Sequence, residues 1–410
     1  MESVNDVFSQ WGVSEHVAVR LRAAAQAARE KQQGSAMTHS WLFTGSPGSG
    51  RSTAALAFAA ALECEHPSII GCGQCAQCTA VHARTHGDVF FMEPRELIVS
   101  VKTVREEIVA PVATKPMVAP WRVVIVDNAD RLNDQAANAL LKTFEEPPAH
   151  AVIILCAPST DPEDVIPTLV SRSRHVYIPQ PTAAEVAQLL IGEGVPENHA
   201  HLAAVATGSH IGRARRLVHD EQAQRRRVSI LNLAELVSHG DQAFLAVSDI
   251  VKRITKAVDE DLGQENEQEL EKLRTALGMG AKGKGAQKAL RGATTQLKEL
   301  EAVQKKRKTR ALRDALDLGL VDLAGLYRDA LMLASGAAKG AHSGQQAGEV
   351  ELIHPDMFGL SQEMSAAGSE SLTACIDAIM ECRQDISVNV RPETALDAML
   401  GKIRLALGLS

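Results

Sequence analysis

The sequence predicts a three-layer α/β domain with a mainly parallel, five-stranded sheet, followed by an all-helical remainder. Three observations lead there. Five short apolar runs fall within the first 180 residues, helical periods separate them, and after residue 179 no strand-like run of comparable strength recurs. The runs are WLFT (41–44), DVFFME (88–93), RVVIVD (122–127), AVIILC (151–156) and HVYI (175–178). Most are nearly continuous in apolar residues, as strands covered on both faces must be. Between them RSTAALAFAAALEC (51–64), SVKTVREEIVAPV (100–112) and NDQAANALLKTFEEPP (133–148) read as helices, and the alternation is that of βαβ units. Asn133 is a plausible cap for the last of these, and Pro147 ends it by pushing its predecessor out of the α region.

From PQPTAAEVAQLL (179–190) onward, helical periods rich in alanine and leucine take over. The expected division is an α/β domain over 1–179, a small helical module over 180–238 ending in TGSHIGRARRL (207–217) and SHGD (238–241), and a longer helical domain over 239–410. Within that last part a flexible or inserted basic segment is expected near 262–345. Its glycine-rich stretches at 278–292 and 335–348 cannot bury enough apolar surface to offset ordering entropy.

The bulk values bound the function. At 410 residues the chain has room for two or three domains, and 45% hydrophobic with 23% charged residues is a globular composition. No run approaches the roughly 18 apolar residues of a membrane span. MESVNDVFSQWG carries neither a basic nor an apolar signal region, so a cytoplasmic location is expected. A net charge of -7 argues against a chain that binds nucleic acid over its whole surface. The basic runs RRR (225–227) and KKRKTR (305–310) read first as solvated helix faces.

Chemistry concentrates in four places. FTGSPGSGRSTAA (43–55) has the spacing of a phosphate-binding loop, GxxxxGK[ST], between a predicted strand and a predicted helix. Gly45, Ser46, Pro47, Gly48, Ser49, Gly50, Arg51 and Ser52 form it, with Arg51 where lysine is usual. Glycines let backbone N–H groups turn toward phosphate oxygens, and the helix N-terminus adds its dipole. Arginine is longer and planar where lysine is a compact charge, so binding can persist while hydrolysis suffers; a tight turn with no ligand is the plain alternative. In VVIVDNADRL (123–132), Asp127 ends a strand where a carboxylate can hold magnesium. The next residue is Asn128, an amide where a general base would need a carboxylate. Cys64, Cys72, Cys75 and Cys78 have C-x7-C-x2-C-x2-C spacing, which suits a closed tetrahedral zinc site; an iron–sulfur cluster and unliganded thiols are the alternatives. His66 and His82 lie nearby, with a surface role as the default. In PTLVSRSRHVYI (167–178), Arg172 stands before the fifth strand, where an arginine can reach outward to a neighbour's triphosphate.

Together these residues resemble the bacterial DNA polymerase III clamp loader, in the AAA+ class. The loop at 45–52, the cysteines at 64–78, DNADRLNDQAANALLKTFEEPP (127–148) and TLVSRS (168–173) carry the resemblance, which covers 40–217 and weakens afterwards to VNVRPETALDAML (388–400). It implies an AAA+ module with a zinc module inserted at 64–86, a helical lid and an all-α collar. Motor subunits of that family keep lysine and glutamate at the positions of Arg51 and Asn128, so the eroded pair resembles the delta-prime branch. By the resemblance Arg172 is an arginine finger, with Ser173 replacing a cysteine of the Ser-Arg-Cys motif, and Arg213 is the lid arginine that senses nucleotide. The implied cofactors are structural zinc and, in a degenerate site, ATP with magnesium. The implied partners are gamma/tau and delta subunits, the sliding clamp and primer-template DNA, in a nucleoid-associated replisome and away from membranes. The rival readings are an ATP-hydrolysing motor, in the same assembly or independent, and a plain zinc-binding adaptor.

Overall fold

Five strands, β1 (Ser40–Thr44), β2 (Val89–Met92), β3 (Arg122–Val126), β4 (Ala151–Ala157) and β5 (Arg174–Tyr177), pair in the order β2-β3-β4-β1-β5, every pairing parallel. The computed structural model describes residues 6–30, 37–94, 98–277, 286–338, 351–388 and 390–409, with side chains of the fourth stretch from 296 onward. Each strand falls on one of the five apolar runs. The three central strands are buried at every position, whereas edge strands β2 and β5 are partly exposed. Burial on both faces is why the central runs are continuous rather than alternating.

Successive side chains leave a strand on opposite faces. Trp41, Phe43, Val123, Ile125, Val152 and Ile154 enter one core; Leu42, Val124, Val126, Ile153 and Leu155 enter the other. The first core is closed by α1 (Val7–Gln10), α2 (Glu15–Arg29), α3 (Arg51–Glu63) and α4 (Ala76–His82). Helices α5 (Val101–Val104), α6 (Ala110–Ala113), α7 (Asp134–Glu145) and α8 (Pro167–Val170) close the second, giving three layers. Asn133 caps α7 through its side chain, which accepts the Ala136 N–H at 2.8 Å. The helix expected over 100–112 is interrupted: Arg105–Val109 form a π turn, with the Ala110 N–H reaching back to Arg105 O. Pro111 has no N–H to give to the regular ladder, and the wider turn accommodates it.

After β5 come α9 (Ala183–Gly192), α10 (Glu197–Ala206) and α11 (Ile211–His219). The chain divides into two compact units, Met1–Glu193 with Ser209–Arg213, and Gly194–Gly208 with Ala214–Ser410. The second is helical throughout its described residues, and its core joins α12 (Glu221–Leu231), α13 (Leu233–Leu236), α14 (Asp241–Ala276), α15 (Ala286–Ala334), α17 (Ser369–Ser387) and α18 (Pro392–Ala406), while α16 (Phe358–Ser365) packs on α15. Much of the 262–345 segment therefore lies in α14 and α15; 278–285 and 339–350, which hold most of its glycine-rich stretches, lie outside the described residues.

The basic runs differ from the solvated faces expected of them. Arg225 is exposed, but Arg227 is buried in a bidentate pair with Asp356 (2.6 and 2.8 Å), and Arg307 is buried against Glu269 (3.0 Å). Consecutive helical residues are turned by about 100° from one another, so a run of three cannot share a face.

Candidate functional site

Strand β1 ends at Thr44 and α3 begins at Arg51, so Gly45–Gly50 form a strand-to-helix loop at the C-terminal edge of the sheet. In open α/β sheets ligands bind at this edge. Gly48 (φ 93°) and Gly50 (φ 89°) adopt left-handed conformations that side chains resist. The Ser49 N–H closes the turn onto Ser46 O at 3.0 Å, while the Ser46 hydroxyl donates to Gln180 Oε1 at 2.8 Å. No side chain caps α3, which leaves its first-turn N–H groups at the loop. Two polar groups here are buried with no hydrogen-bond partner among the described residues: the hydroxyl of Ser49, 5% exposed, and Nη1 of Arg51, 7% exposed. Beside them a cavity of about 370 Å³ opens, walled by Val13, Ile178, Val186, Leu189 and Ile211. An orphaned guanidinium nitrogen, an orphaned hydroxyl and an uncapped helix start fit an oxyanion such as a phosphate.

His210 restricts this cradle. A Cβ on Gly48 would lie 2.5 Å from the His210 ring, so the imidazole rests directly on the loop. Its Nδ1 accepts the Arg213 N–H at 3.3 Å. Burial, and then the positive charges of Arg213 and Arg51, push its pKa down to about 4, so it stays neutral at ordinary pH. The backbone of Arg213 is thus tied to the loop's neighbour, as the start of α11 brings both residues into the first unit.

Asp127 follows β3, on the same edge as the loop, with β4 between β3 and β1. Its Oδ1 accepts the N–H of Asn128 at 3.0 Å, and Asn128 turns the chain in a left-handed conformation (φ 47°). A carboxylate acceptor is therefore present and a carboxylate base at 128 is not.

Arg172 stands at the other end. It precedes β5, whose Arg174 is in register with Trp41 near the start of β1 and whose Tyr177 is in register with Thr44. At roughly 3.3 Å per residue, a strand's length separates Arg172 from its own loop. Its Nη2 pairs with Glu145 Oε1 at 2.8 Å and its Nη1 donates to Thr168 O at 3.1 Å, with over a third of the side chain exposed. Glu145, the last residue of α7, lies in the 127–148 motif, but only the fold shows it as the partner of Arg172.

The four cysteines form a second centre. Their sulfurs all lie within 4.8 Å of one another, and Cys64, Cys72 and Cys78 are buried. Backbone N–H groups point at sulfur: Cys72 to Cys64 (3.3 Å), Cys75 to Cys72 (3.3 Å) and Cys78 to Cys75 (3.5 Å). This geometry favours thiolates, and at Zn–S distances of about 2.3 Å four sulfurs need only a small contraction to surround a metal ion. His66 is turned to other work, its Nδ1 accepting the Ile69 N–H at 2.9 Å, and the His82 ring lies 4.8 Å from Trp11.

The chain is similar to known DNA polymerase III subunits over part of its length. A family model described as DNA polymerase III, delta subunit, matches residues 21–182. The DNA polymerase III subunit delta' of Pseudomonas aeruginosa is 37% identical over 149 residues, 36% of this chain and 44% of that protein. The delta' subunit of Escherichia coli is 33% identical over 208 residues, 50% of this chain and 61% of that protein. The gamma/tau subunit of Mycobacterium tuberculosis is 31% identical over 186 residues, 44% of this chain and 31% of that protein. The chain thus spans less than two thirds of the length of each of these relatives. Residues 21–182 of this chain are similar to the DNA polymerase III delta subunit model, and the chain is similar over part of its length to the delta' subunits of two bacteria.

Proposed function

We infer that the chain acts as a delta-prime-type, stator-like subunit of a clamp loader, helping to place a sliding clamp on primer-template DNA during replication. The observation that carries this reading is the division of the sheet's two edges. At one edge the loop keeps its glycines, Asp127 and a buried cation, yet has Arg51 and Asn128 where catalysis needs lysine and a carboxylate. At the opposite edge Arg172 is presented on the surface. Its guanidinium would spread charge over the γ-phosphate oxygens of a neighbouring gamma/tau subunit's ATP, where charge develops during phosphoryl transfer. In this reading 1–179 is the AAA+ module, 180–238 its lid and 239–410 a collar that joins the gamma/tau and delta subunits, in the cytoplasm. Cys64, Cys72, Cys75 and Cys78 would hold zinc, which would fix the 64–86 segment rather than take part in chemistry.

The Arg51 Nη1 and the Ser49 hydroxyl, buried without partners among the described residues, favour nucleotide binding by this loop, which a second reading, an ATP-hydrolysing motor of the same complex or an independent AAA+ ATPase, extends to turnover. The first reading is tested across the subunit interface, the second by ATP turnover of the isolated chain. In a reconstituted complex with gamma/tau and delta, clamp-loading ATPase is measured with clamp and primed DNA. Arg172→Ala is expected to leave assembly intact and lower the rate by ~10-fold or more, diluted by active sites that do not use this arginine. Arg172→Lys should rescue poorly, since one ammonium cannot reproduce the guanidinium fork. A normally assembled complex that hydrolyses ATP at the wild-type rate would remove the finger from Arg172.

A further inference from the structure

In the second unit a cavity of about 270 Å³ lies between α12 and α14. Gln222, Arg225, Arg226 and Ser229 line it from α12. Ile250, Arg253, Ile254 and Ala257 line it from α14. Both sets run i, i+3, i+4, i+7, so each helix presents one continuous face. Ile250 and Ile254 are buried and form an apolar floor, and the charged members of the lining are three arginines with no carboxylate.

Those arginines are only partly neutralised. Arg225 pairs with Glu221 at 2.5 Å, but both side chains are 74% exposed, where an ion pair contributes little. Arg226 shares the carboxylate of Asp220 with Arg216, each at 3.4 Å, and Arg216 also pairs with Asp261 at 3.6 Å. Arg253 has no ion pair among the described residues; its Nε donates to Asp249 O at 3.4 Å. Burial first, and then the Arg216 charge, lower the Arg226 pKa, against the opposing charges of Asp220 and Asp261.

We propose that this pocket docks a short acidic segment of a partner polypeptide, with a carboxylate taken by Arg226 and Arg253 and an adjoining aliphatic or aromatic side chain resting on Ile250 and Ile254. Charge complementarity selects the carboxylate, because an arginine fork matches it bidentately. The apolar floor decides between classes of partner. A nucleic-acid backbone is met by the cations alone, whereas a peptide offers a carboxylate and an apolar group at adjacent positions. The volume falls just below the usual 300–1,000 Å³ of small-molecule sites, in keeping with a few side chains rather than a cofactor. The proposal does not depend on the clamp-loader reading, and its test reads no loading activity.

The full-length chain is titrated with fluorescein-labelled GDDLFGG, with GNNLFGG and GDDSSGG as controls lacking the charge or the apolar pair, and with a short single-stranded oligonucleotide. Binding is followed by polarisation and by the isoleucine methyl signals of Ile250 and Ile254. GDDLFGG is expected to bind saturably and shift both methyl signals, with both controls at least ~10-fold weaker. The double variant Arg225→Glu, Arg253→Glu changes two exposed side chains, keeps the helical circular dichroism, and should lose the binding. No saturable binding of GDDLFGG, binding unchanged in the double variant, or preferential binding of the oligonucleotide with the same methyl shifts would each overturn the proposal.

Discussion

Glu63 is 1% exposed; its Oε2 accepts only a long hydrogen bond from the Trp121 N–H (3.4 Å), and its Oε1 has no partner among the described residues. Burial, helped by the charge of Asp88 and opposed by the Trp121 bond and Arg122, raises its pKa from 4.5 to about 8. The unfolded chain therefore ionises this carboxyl above 4.5 while the folded chain keeps the proton until about 8. Stability attributable to Glu63 is full below the lower value, falls by about 1.4 kcal/mol per pH unit between the two, and is level beyond. Glu63→Gln should remove that slope and leave a protein more stable than wild type at pH 7.5, with little difference at pH 4.5. Urea midpoints at several pH values decide it; parallel profiles for the two proteins would show that Glu63 does not titrate as described. This residue was invisible in the sequence, because its environment is made by the loop at Trp121 and by the Asp88–Arg122 pair (3.0 Å). Arg51, Asn128 and Arg172 were legible by contrast, since each stands in a local motif whose spacing states its place. Glu145 and His210 were not, because they meet Arg172 and Gly48 only after the sheet brings distant segments together.

Short elements show the same division. The five strands were readable because burial on both faces writes a continuous apolar run, and α7 because its cap and proline bracket it. Helix α2 leaves little trace in the sequence, although Val17, Ala18, Leu21, Ala24, Ala25 and Ala28 mark its buried face, since small alanines give a weak periodic signal. The cysteine turn was legible from spacing alone. Cys75→Ser is expected to release one metal ion per chain, read by elemental analysis of protein prepared without chelator, and to lower stability by several kcal/mol, given structural-zinc binding energies of about 10 or more. Metal-free wild-type protein with the same stability would leave these residues as buried thiols. A second element, the 114–121 loop, hangs on Asp88, which accepts the N–H groups of Met117 (2.8 Å), Val118 (2.7 Å) and Ala119 (3.0 Å) and pairs with Arg122. Arg122 in turn donates to the carbonyls of Gly87 (2.9 Å) and Lys115 (2.7 Å). Asp88→Ala leaves that guanidinium buried and unpaired and should cost ~3–5 kcal/mol. Limited proteolysis should then cut beside the exposed Met117 and Val118; a wild-type cleavage pattern would show that the loop stands without its carboxylate.

For the molecule as a whole, the decisive question is whether its own loop performs chemistry, because a cradle and a catalyst need different things. Binding needs N–H groups, a cation and space, and these are present in the uncapped start of α3, in buried Arg51 and in the adjacent cavity. Turnover needs in addition a group that orients and deprotonates water, and the residue after Asp127 is an amide. The two requirements are separable in one set of variants. The purified wild-type chain is expected to hydrolyse no ATP above background, with or without primed DNA. Arg51→Lys should be equally silent, since a better-placed charge does not supply the missing base, and Asn128→Glu alone should also fail while arginine occupies the lysine position. His210 adds a steric reason, as its neutral ring rests on Gly48. Calorimetry with an ATP analogue on the same proteins reads binding independently, and Arg51→Ala should weaken any binding that wild type shows. Robust turnover by the wild-type chain, free of motor subunit, would mean that Arg51 serves as the lysine does and that the chain is a motor, even though its Arg172 faces away from the loop that would then be active.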